Sequence, residues 1–460
     1  MTDMVPIQFG IKSAQAASGV VSLERCLNMY PDQAPQGAKS PVVLYGTPGL
    51  KAWSSVGSGP IRGMHVGVGA MWVVSGTTLY HVSTGKVAAE IGEVAGIGYC
   101  NMIDNGTQVA ITTNDLAYCA TATSITALPE AALNGAAYQD GYGIFTQRGT
   151  QNFWLSGLDD LSTISGLDFS TADALPDYVV GCVSDHRELW LFKEHSIEIW
   201  QNTGDAAFPF QRAGGGFIER GCGSGQSIVK ADNAVYWLGD DGRVYRASSY
   251  SPERISTTEI ELLIESAADS TTGAGFIYEQ SGHIHYVLNF SDLTIVYDLT
   301  TGLWHERISD GESRWRANVY ADFAGAQLVG DFETGDIYEL DQETYSDNGS
   351  TILREVIAPP IHGGGVRVFQ SELYIDTETG IGLTSGQGSD PQWMLDWSDD
   401  GGATWSNEIW GPGGALGNRK TRLRFTRLGS FYQRSYRLRL SDPVKPVILG
   451  AYARTGLGVS

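Results

Sequence analysis

The sequence predicts an all-β protein, in which a β-propeller of about six or seven blades lies between an irregular N-terminal arm and a C-terminal β-sandwich-like domain. Aromatic residues make up 10% of the 460 residues, charged residues make up only 18%, and there are 58 glycines. This composition is typical of many short strands joined by tight turns. Strand–turn–strand patterns also recur at intervals of about 35–50 residues, the spacing expected of propeller blades.

The clearest strand–turn–strand pattern lies at residues 235–246. An aromatic-rich strand precedes Gly239-Asp240-Asp241-Gly242, and an alternating strand follows it. Asp and Gly are favoured in such turns because they tolerate the positive φ that a twisted hairpin requires. Neighbouring blades could share hairpins, so the pattern leaves the blade number open. Hairpins are predicted at residues 71–82, 108–119, 142–156, 188–200, 235–246, 283–298 and 326–340.

The chain is predicted to divide into four segments. Proline and glycine interrupt the first segment, which favours extended pieces over helices. Ala358-Pro359-Pro360 is typical of a stiff link before a small β-sandwich. One helix is predicted within the propeller, at residues 256–265, with Thr257 or Thr258 as its cap. The predicted segments are an arm at 1–57, a propeller at 58–345, a linker at 346–361 and a β domain at 362–460.

The net charge of −22 disfavours a protein that grips nucleic acid. It is compatible with a wall that DNA passes without sticking. The five cysteines are scattered without a C-x-x-C pair, which indicates reduced, buried thiols rather than a disulfide framework or a zinc site. No signal-peptide pattern and no long apolar run are present, so we expect synthesis in a cytoplasm and no membrane insertion.

Residues 398–405 fit the Asp-box pattern S-x-D-x-G-x-T-W. Its Ser and Asp side chains are expected to bond backbone amides of a hairpin turn, which is a structural role. Glycosidase chemistry would need a pair of positioned carboxylates. The acidic pairs at 240–241 and 399–400 lie in Gly-flanked turns, where Asp is favoured for backbone reasons. We therefore predict no catalytic residues.

Metal and cofactor sites are also not predicted. His283 and His285 are spaced to face the same side of one strand, as metal ligands can be, but no third ligand is evident. The glycine run 214–216 lacks the following Lys-Ser/Thr and helix of a phosphate-binding loop.

A basic segment stands out near the C-terminus, because no acidic residue occurs between Ile409 and Ser441. Around residues 422–425 and 437–440, arginine alternates with apolar residues, so each strand should present one cationic and one apolar face. Two interpretations stay open: a solvated strand surface, or a docking face for an acidic partner, such as an identical subunit, with DNA phosphates less favoured. The candidate residues of this face are Arg419, Arg422, Arg424, Arg427, Arg437 and Arg439.

The order of several short motifs resembles a known family. These motifs are Leu-Asn-Met-Tyr-Pro at 27–31, Thr-Pro-Gly-Leu at 47–50, Ser-Ile-Glu-Ile-Trp at 196–200, Arg-Ile-Ser-Thr-Thr-Glu-Ile-Glu at 254–261, and Val-Tyr-Asp at 296–298 before Trp304. The Ser-x-Asp-Gly turn and the Arg-rich strands follow. Together they resemble the packaged-DNA stabilisation proteins of short-tailed bacteriophages, also called tail hub or nozzle proteins.

The resemblance implies a structural role in the virion tail, with no catalytic residues and no cofactor. It implies that the chain forms a homo-hexamer, a six-fold ring below the portal and its adaptor ring. This homo-hexameric ring would retain the packaged DNA and conduct it during ejection. Further implied partners are tail fibres or tailspikes, a plug or needle protein, and double-stranded DNA in transit without specific binding. Assembly is expected in the host cytoplasm. The alternative hypothesis is a carbohydrate-active or carbohydrate-binding propeller, suggested by the Asp box.

Overall fold

The computed structural model describes residues 4–130 and 132–457, and nearly all of its regular structure is β-strand. The strands of the N-terminal arm are distributed over the whole molecule. Some join sheets of the C-terminal domain, and the last one joins the propeller. They are β1 Met4–Ile7, β2 Ala14–Gln15, β3 Leu23–Leu27, β4 Met29–Gln33, β5 Val42–Gly46 and β6 Gly49–Ser55.

Six propeller blades are each built from four consecutive antiparallel strands. In each blade a predicted hairpin forms the two middle strands, so neighbouring blades do not share hairpins. The blades are β7 Ile61–Gly67, β8 Ala70–Ser75, β9 Thr78–Val82 and β10 Ala88–Glu93; β11 Asn101–Asp104, β12 Val109–Thr112, β13 Ala117–Thr121 and β14 Ser124–Ala127; β15 Leu133–Gln139, β16 Tyr142–Gln147, β17 Asn152–Gly157 and β18 Asp160–Thr171; β19 Val179–Asp185, β20 Glu188–Lys193, β21 Ile197–Asn202 and β22 Phe210–Ile218; β23 Val229–Ala231, β24 Ala234–Leu238, β25 Val244–Ser248 and β26 Ser251–Arg254; and β27 Ala274–Gln280, β28 His283–Asn289, β29 Thr294–Asp298 and β30 Leu303–Glu306.

A composite seventh sheet closes the ring of blades. Its three C-terminal strands are β31 Ala317–Phe323, β32 Ala326–Asp331 and β33 Asp336–Asp341. Its fourth strand is β6 of the arm, which pairs antiparallel with β33 and places Leu50 opposite Leu340. The predicted propeller of about six or seven blades is thus confirmed, with six continuous blades and one completed by the arm.

Apolar residues fill the space between every two neighbouring blades. Phe192 and Trp237, for example, pack edge-to-face between the fourth and fifth blades, with ring centroids 5.5 Å apart. Leu50 lies between the sixth blade and the composite blade. Each small sheet therefore buries both of its faces against its neighbours, which is how radial packing supplies the core that one blade lacks.

The predicted helix is present and is nearly as long as expected. This helix, α1 Thr258–Ser266, lies in the connection between the fifth and sixth blades. A separate 3-10 turn, Gly225–Ser227, lies in the connection between the fourth and fifth blades. Thr257 is the N-cap, because its side chain accepts a hydrogen bond from the Ile260 amide. Ile260 and Ile264 form its buried face.

The C-terminal domain is a β-sandwich whose two sheets both include arm strands. One sheet has the order β4, β5, β44 (Val447–Leu457), β38 (Val368–Thr377) and β41 (Leu423–Thr426). The other contains β3, β36 (Arg354–Ile357), β43 (Gln433–Leu440), β39 (Gln392–Ser398) and β40 (Ile409–Pro412). Stretch 346–361, predicted as a linker, contains three short strands and the start of a fourth. The strands are β34 Ser346–Asp347, β35 Ser350–Thr351, β36 Arg354–Ile357, β37 Ile361–His362, β38 Val368–Thr377, β39 Gln392–Ser398, β40 Ile409–Pro412, β41 Leu423–Thr426, β42 Ser430–Phe431, β43 Gln433–Leu440 and β44 Val447–Leu457.

Candidate docking surface

The two arginine-rich strands alternate as the sequence predicts. On β41, Leu423 and Phe425 are buried in the sandwich core and Arg424 is exposed. On β43, Leu438 and Leu440 point into the same core. This alternation follows from the period of two along a β-strand.

The six candidate arginines do not share one face. β41 pairs with β38 in one sheet, whereas β43 pairs with β39 and β36 in the other. Because the apolar residues of both strands enter one core between the sheets, their arginines lie on opposite outer faces of the sandwich. Arg419, Arg422, Arg424 and Arg427 belong to the β41 side, and Arg437 and Arg439 belong to the β43 side.

Arg437 and Arg439 are occupied by neighbouring carboxylates. Nε of Arg437 donates to Oδ1 of Asp396 at 2.9 Å, and Nη2 of Arg439 donates to Oε2 of Glu408 at 2.7 Å. The guanidinium of Arg437 also lies 4.0 Å from the ring centroid of Trp405. The hydrogen bonds to Asp396 raise the pKa of Arg437. These half-buried arginines hold the second sheet together, which leaves the β41 side as the more accessible cationic surface.

On the β41 side the arginines differ in their partners. Nη2 of Arg424 donates to Oε2 of Glu372 at 2.9 Å. Arg419, Arg422 and Arg427 are exposed and have no ion pair within residues 4–130 and 132–457. Arg427 adopts a left-handed φ of 63°, and its amide donates to the Ser371 carbonyl.

Arg419 and Arg422 line a groove of 430 Å³ that we call the basic groove. Lys420 and Tyr374 line it too, together with Lys39, which comes from the arm. The groove contains Asp376, and Lys39 binds that carboxylate at 2.6 Å. Lys39 is a site residue that sequence reasoning missed, since it lies far from the arginines along the chain. The arrangement suits an acidic partner, because most of its charged groups are cations.

The Asp-box turn forms as predicted. Oγ of Ser398 accepts from the Gly402 amide at 2.8 Å, and Oδ1 of Asp400 accepts from the Thr404 amide at 2.9 Å. Hydrogen bonds from Thr404 lower the pKa of Asp400 to about 2. The adjacent Asp399 accepts from Nε of the buried Arg434 at 2.7 Å. These carboxylates stabilise the turn and its attachment to β43.

The histidines at 283 and 285 face the same side of β28, as predicted, and belong to a larger buried cluster. Nδ1 of His283 bonds Oδ2 of Asp298 at 2.8 Å, which raises the pKa of His283. Neither ring nitrogen of His285 or His305 has a hydrogen-bond partner. Burial lowers the pKa of His305 to about 3 and that of His285 well below its usual range. Among the described residues, no group of three or more His, Cys, Asp or Glu side chains could hold a metal ion.

The five cysteines are all unpaired and buried, as predicted. Burial raises the pKa of Cys222 to about 12, so its thiol stays protonated. In the described part of the chain, no helix is long and apolar enough to cross a bilayer.

Searches for similar structures return solved proteins of low sequence identity with TM-scores below 0.5. The extracellular domain of the hybrid two-component system BT4673 from B. thetaiotaomicron has a TM-score of 0.45 at 9% identity, over 64% of this chain and 39% of that chain. The Cps50 (Swd1) propeller domain of Myceliophteria thermophila has a TM-score of 0.43 at 8% identity, over 63% of this chain and 98% of that chain. This chain thus spans well under half of the first of these proteins.

Family profiles are more informative than these structures. A comparison with curated proteins returned no significant match. One family profile, described as bacteriophage P22 Gp10, beta-propeller, matches residues 3–345. A second, described as bacteriophage P22 Gp10, beta-sandwich, matches residues 354–456. The chain therefore belongs to the bacteriophage P22 Gp10 family and is a structural nozzle protein of a podovirus tail.

Proposed function

We propose that the protein assembles into a six-fold ring below the portal and its adaptor, and that this ring retains packaged DNA and conducts it during ejection. Membership of the P22 Gp10 family over both the propeller and the sandwich carries this proposal. The net charge of −22 supports it, because an acidic wall lets DNA pass without binding it specifically. The role is mechanical and requires no catalytic residue or cofactor.

The partners of the ring are the adaptor protein, tail fibres or tailspikes, and a plug or needle protein. We place assembly in the host cytoplasm, before the finished tail leaves the cell. Within the ring, the basic groove docks against an acidic surface of the neighbouring copy. Charge complementarity supports this choice, since Arg419 and Arg422 are exposed cations without carboxylate partners on an otherwise acidic chain.

The carbohydrate-active alternative has lost its main support. Ser398 and Asp400 of the single Asp box are engaged with backbone amides of their own turn. No further observation favours a glycosidase over a structural role.

The decisive experiment mixes the purified full-length protein with a portal–adaptor complex. Mass photometry and negative-stain images should show a six-fold ring of this chain attached to the adaptor side. A protein that stays monomeric at micromolar concentration and does not join the complex would refute the ring. A glycan-cleavage assay on the same preparation should show no turnover.

A further inference from the structure

A cavity of 410 Å³ opens on the axis of the propeller. The first strands of neighbouring blades contact one another around this axis. The cavity lies at the end where those strands begin: Tyr99 precedes β11, Asn134 lies in β15, and Arg314 precedes β31. Side chains from most of the blades therefore converge on one opening, which is of the size that small-molecule sites have.

The lining of this axial cavity differs in charge from the rest of the chain. The protein contains 52 acidic residues, yet none of the described residues that line the cavity is Asp or Glu. Two arginines line it. Arg148 binds Asp115, outside the cavity, and both of these side chains are more than half exposed. The environment inside the cavity is therefore neutral to cationic.

Arg314 is the unusual member of the lining, because it is only 5% exposed and has no carboxylate partner among the described residues. Its Nε donates to the carbonyl of Trp315 at 3.2 Å, and its Nη2 donates to Oδ1 of Asn318 at 3.2 Å. The guanidinium also lies 4.8 Å from the ring centroid of Phe332. These contacts orient the side chain without neutralising it. A buried cation is normally paired, so Arg314 leaves an unmatched positive charge at the cavity.

Three polar side chains of the remaining lining offer hydrogen bonds that the protein itself does not use. The side chains of Asn114, Gln226 and Ser291 form no hydrogen bond with any other described residue. Thr271 and Thr272 also line the cavity, but their hydroxyl groups already donate to Asp269. Amide and hydroxyl groups of this kind pair with ligand hydroxyls, whereas a guanidinium pairs with an oxyanion.

We propose that the axial cavity binds a small, hydroxyl-rich molecule that carries an oxyanion, with the oxyanion on Arg314 and the hydroxyls on the amide side chains. The oxyanion is a phosphate or a carboxylate, since a guanidinium recognises both. This site is separate from the basic groove and does not depend on ring formation.

Three probes of one sugar skeleton test the proposal by isothermal titration calorimetry on the full-length protein. Glucose 6-phosphate and glucuronate each carry an oxyanion, and glucose carries none. We expect binding of at least one of the two anions, and the preferred one identifies the oxyanion. Glucose should bind about tenfold more weakly or not at all, as loss of a charge-assisted hydrogen bond implies. Equal binding of all three, or binding of none, would overturn the proposal.

Variants localise the site. Arg314→Gln should weaken binding of the preferred anion by about tenfold. Because Arg314 is buried and this variant could fail to fold, Asn114→Asp provides a second test with an exposed residue. It adds a negative charge to the lining and should weaken anion binding by several-fold while circular dichroism stays unchanged. The matched control is Asn407→Asp, an equal charge change at an exposed position in the sandwich. If both Asn→Asp variants bind the anion alike, the axial site is wrong.

Discussion

Arg25 of the N-terminal arm donates a hydrogen bond from Nη2 to Oε2 of Glu306, in the sixth blade, at 2.7 Å. Its Nη1 donates to Oε1 of Glu355, in the sandwich strand β36, at 3.0 Å. Both carboxylate side chains are only 7% exposed. One guanidinium thus connects the arm, the propeller and the sandwich, and its pKa is raised by the two carboxylates against the effect of burial.

Replacement of this arginine should destabilise the protein strongly. Arg25→Met would leave the buried Glu306 without its cation, and it would leave Glu355 only the more distant Arg437, at 3.9 Å. The expected cost is about 3–5 kcal/mol of unfolding free energy. Urea unfolding monitored by tryptophan fluorescence measures the loss. Arg148→Met is the matched control, since its ion pair with Asp115 is exposed and should contribute only about 0–1 kcal/mol. Similar losses in the two variants would contradict the assigned role of Arg25.

Truncation of Leu50, the core residue of the closing strand β6, should also destabilise the protein strongly. Leu50 is 1% exposed and packs between the sixth blade and the composite blade. Leu50→Ala should therefore lower the unfolding free energy by about 2–5 kcal/mol. Leu167→Ala, at a residue that is 88% exposed, should change it by less than about 0.5 kcal/mol. Equal midpoints of urea unfolding for both variants would show that β6 does not close the ring.

Stability should fall as the pH drops from about 6.5 towards 3 because of the buried histidines. Unfolded His305 takes up a proton near pH 6.5, whereas folded His305 has a pKa of about 3. The unfolded state therefore gains protons first, and His305 alone should account for a loss of roughly 2 kcal/mol at pH 5. His285 acts in the same direction, and Tyr30, Tyr278 and Arg307 surround the pair.

His283 acts in the opposite direction, because Asp298 raises its pKa and its contribution is lost as the pH rises through that value. Urea unfolding at pH 7.5 and pH 5 should show that His305→Phe reduces the pH dependence by roughly 2 kcal/mol. His362→Phe changes an exposed residue, so its unfolding free energy should depend on pH as that of the wild-type protein does. If His305→Phe leaves the pH dependence of the unfolding free energy unaltered, His305 does not cause the loss of stability at low pH.

Charge reversal in the basic groove should weaken ring assembly. Arg419→Glu combined with Arg422→Glu places two negative charges where an acidic neighbour is proposed to dock, and like charges oppose association. The expected result is a several-fold higher concentration for half-assembly in mass photometry, with unchanged circular dichroism. The control combines Arg148→Glu with Arg187→Glu, an equal change of charge on the propeller. Assembly that responds alike to both double variants would rule out docking through the groove.

Local turn chemistry made most of the propeller predictable. Every predicted hairpin became the middle pair of one blade, because residues such as Asp241 fix the turn by contacts close in sequence. Its Oδ2 accepts from the Tyr245 hydroxyl at 2.7 Å, and its Oδ1 accepts from the Arg243 amide at 3.1 Å. The Asp-box turn was predictable for the same reason.

Long-range pairing was not predictable from the sequence. The alternation of β41 and β43 was evident, but their placement in different sheets depends on partners that are distant along the chain. Asp396 reaches Arg437 and Glu372 reaches Arg424 only after the sandwich forms. The contribution of β6 to the composite blade likewise depends on β33, and no local pattern around Leu50 indicates that partner.

The pairing of Leu50 with Leu340 also sets an order of events during synthesis. The ribosome releases β6 early, but its partner β33 emerges only after most of the chain has been made, on the order of tens of seconds later. Until then β6 is an unpaired strand edge, which is a known liability for aggregation. The circle of blades therefore closes late in translation. Until β33 is available, the unpaired β6 must be kept from associating with other chains.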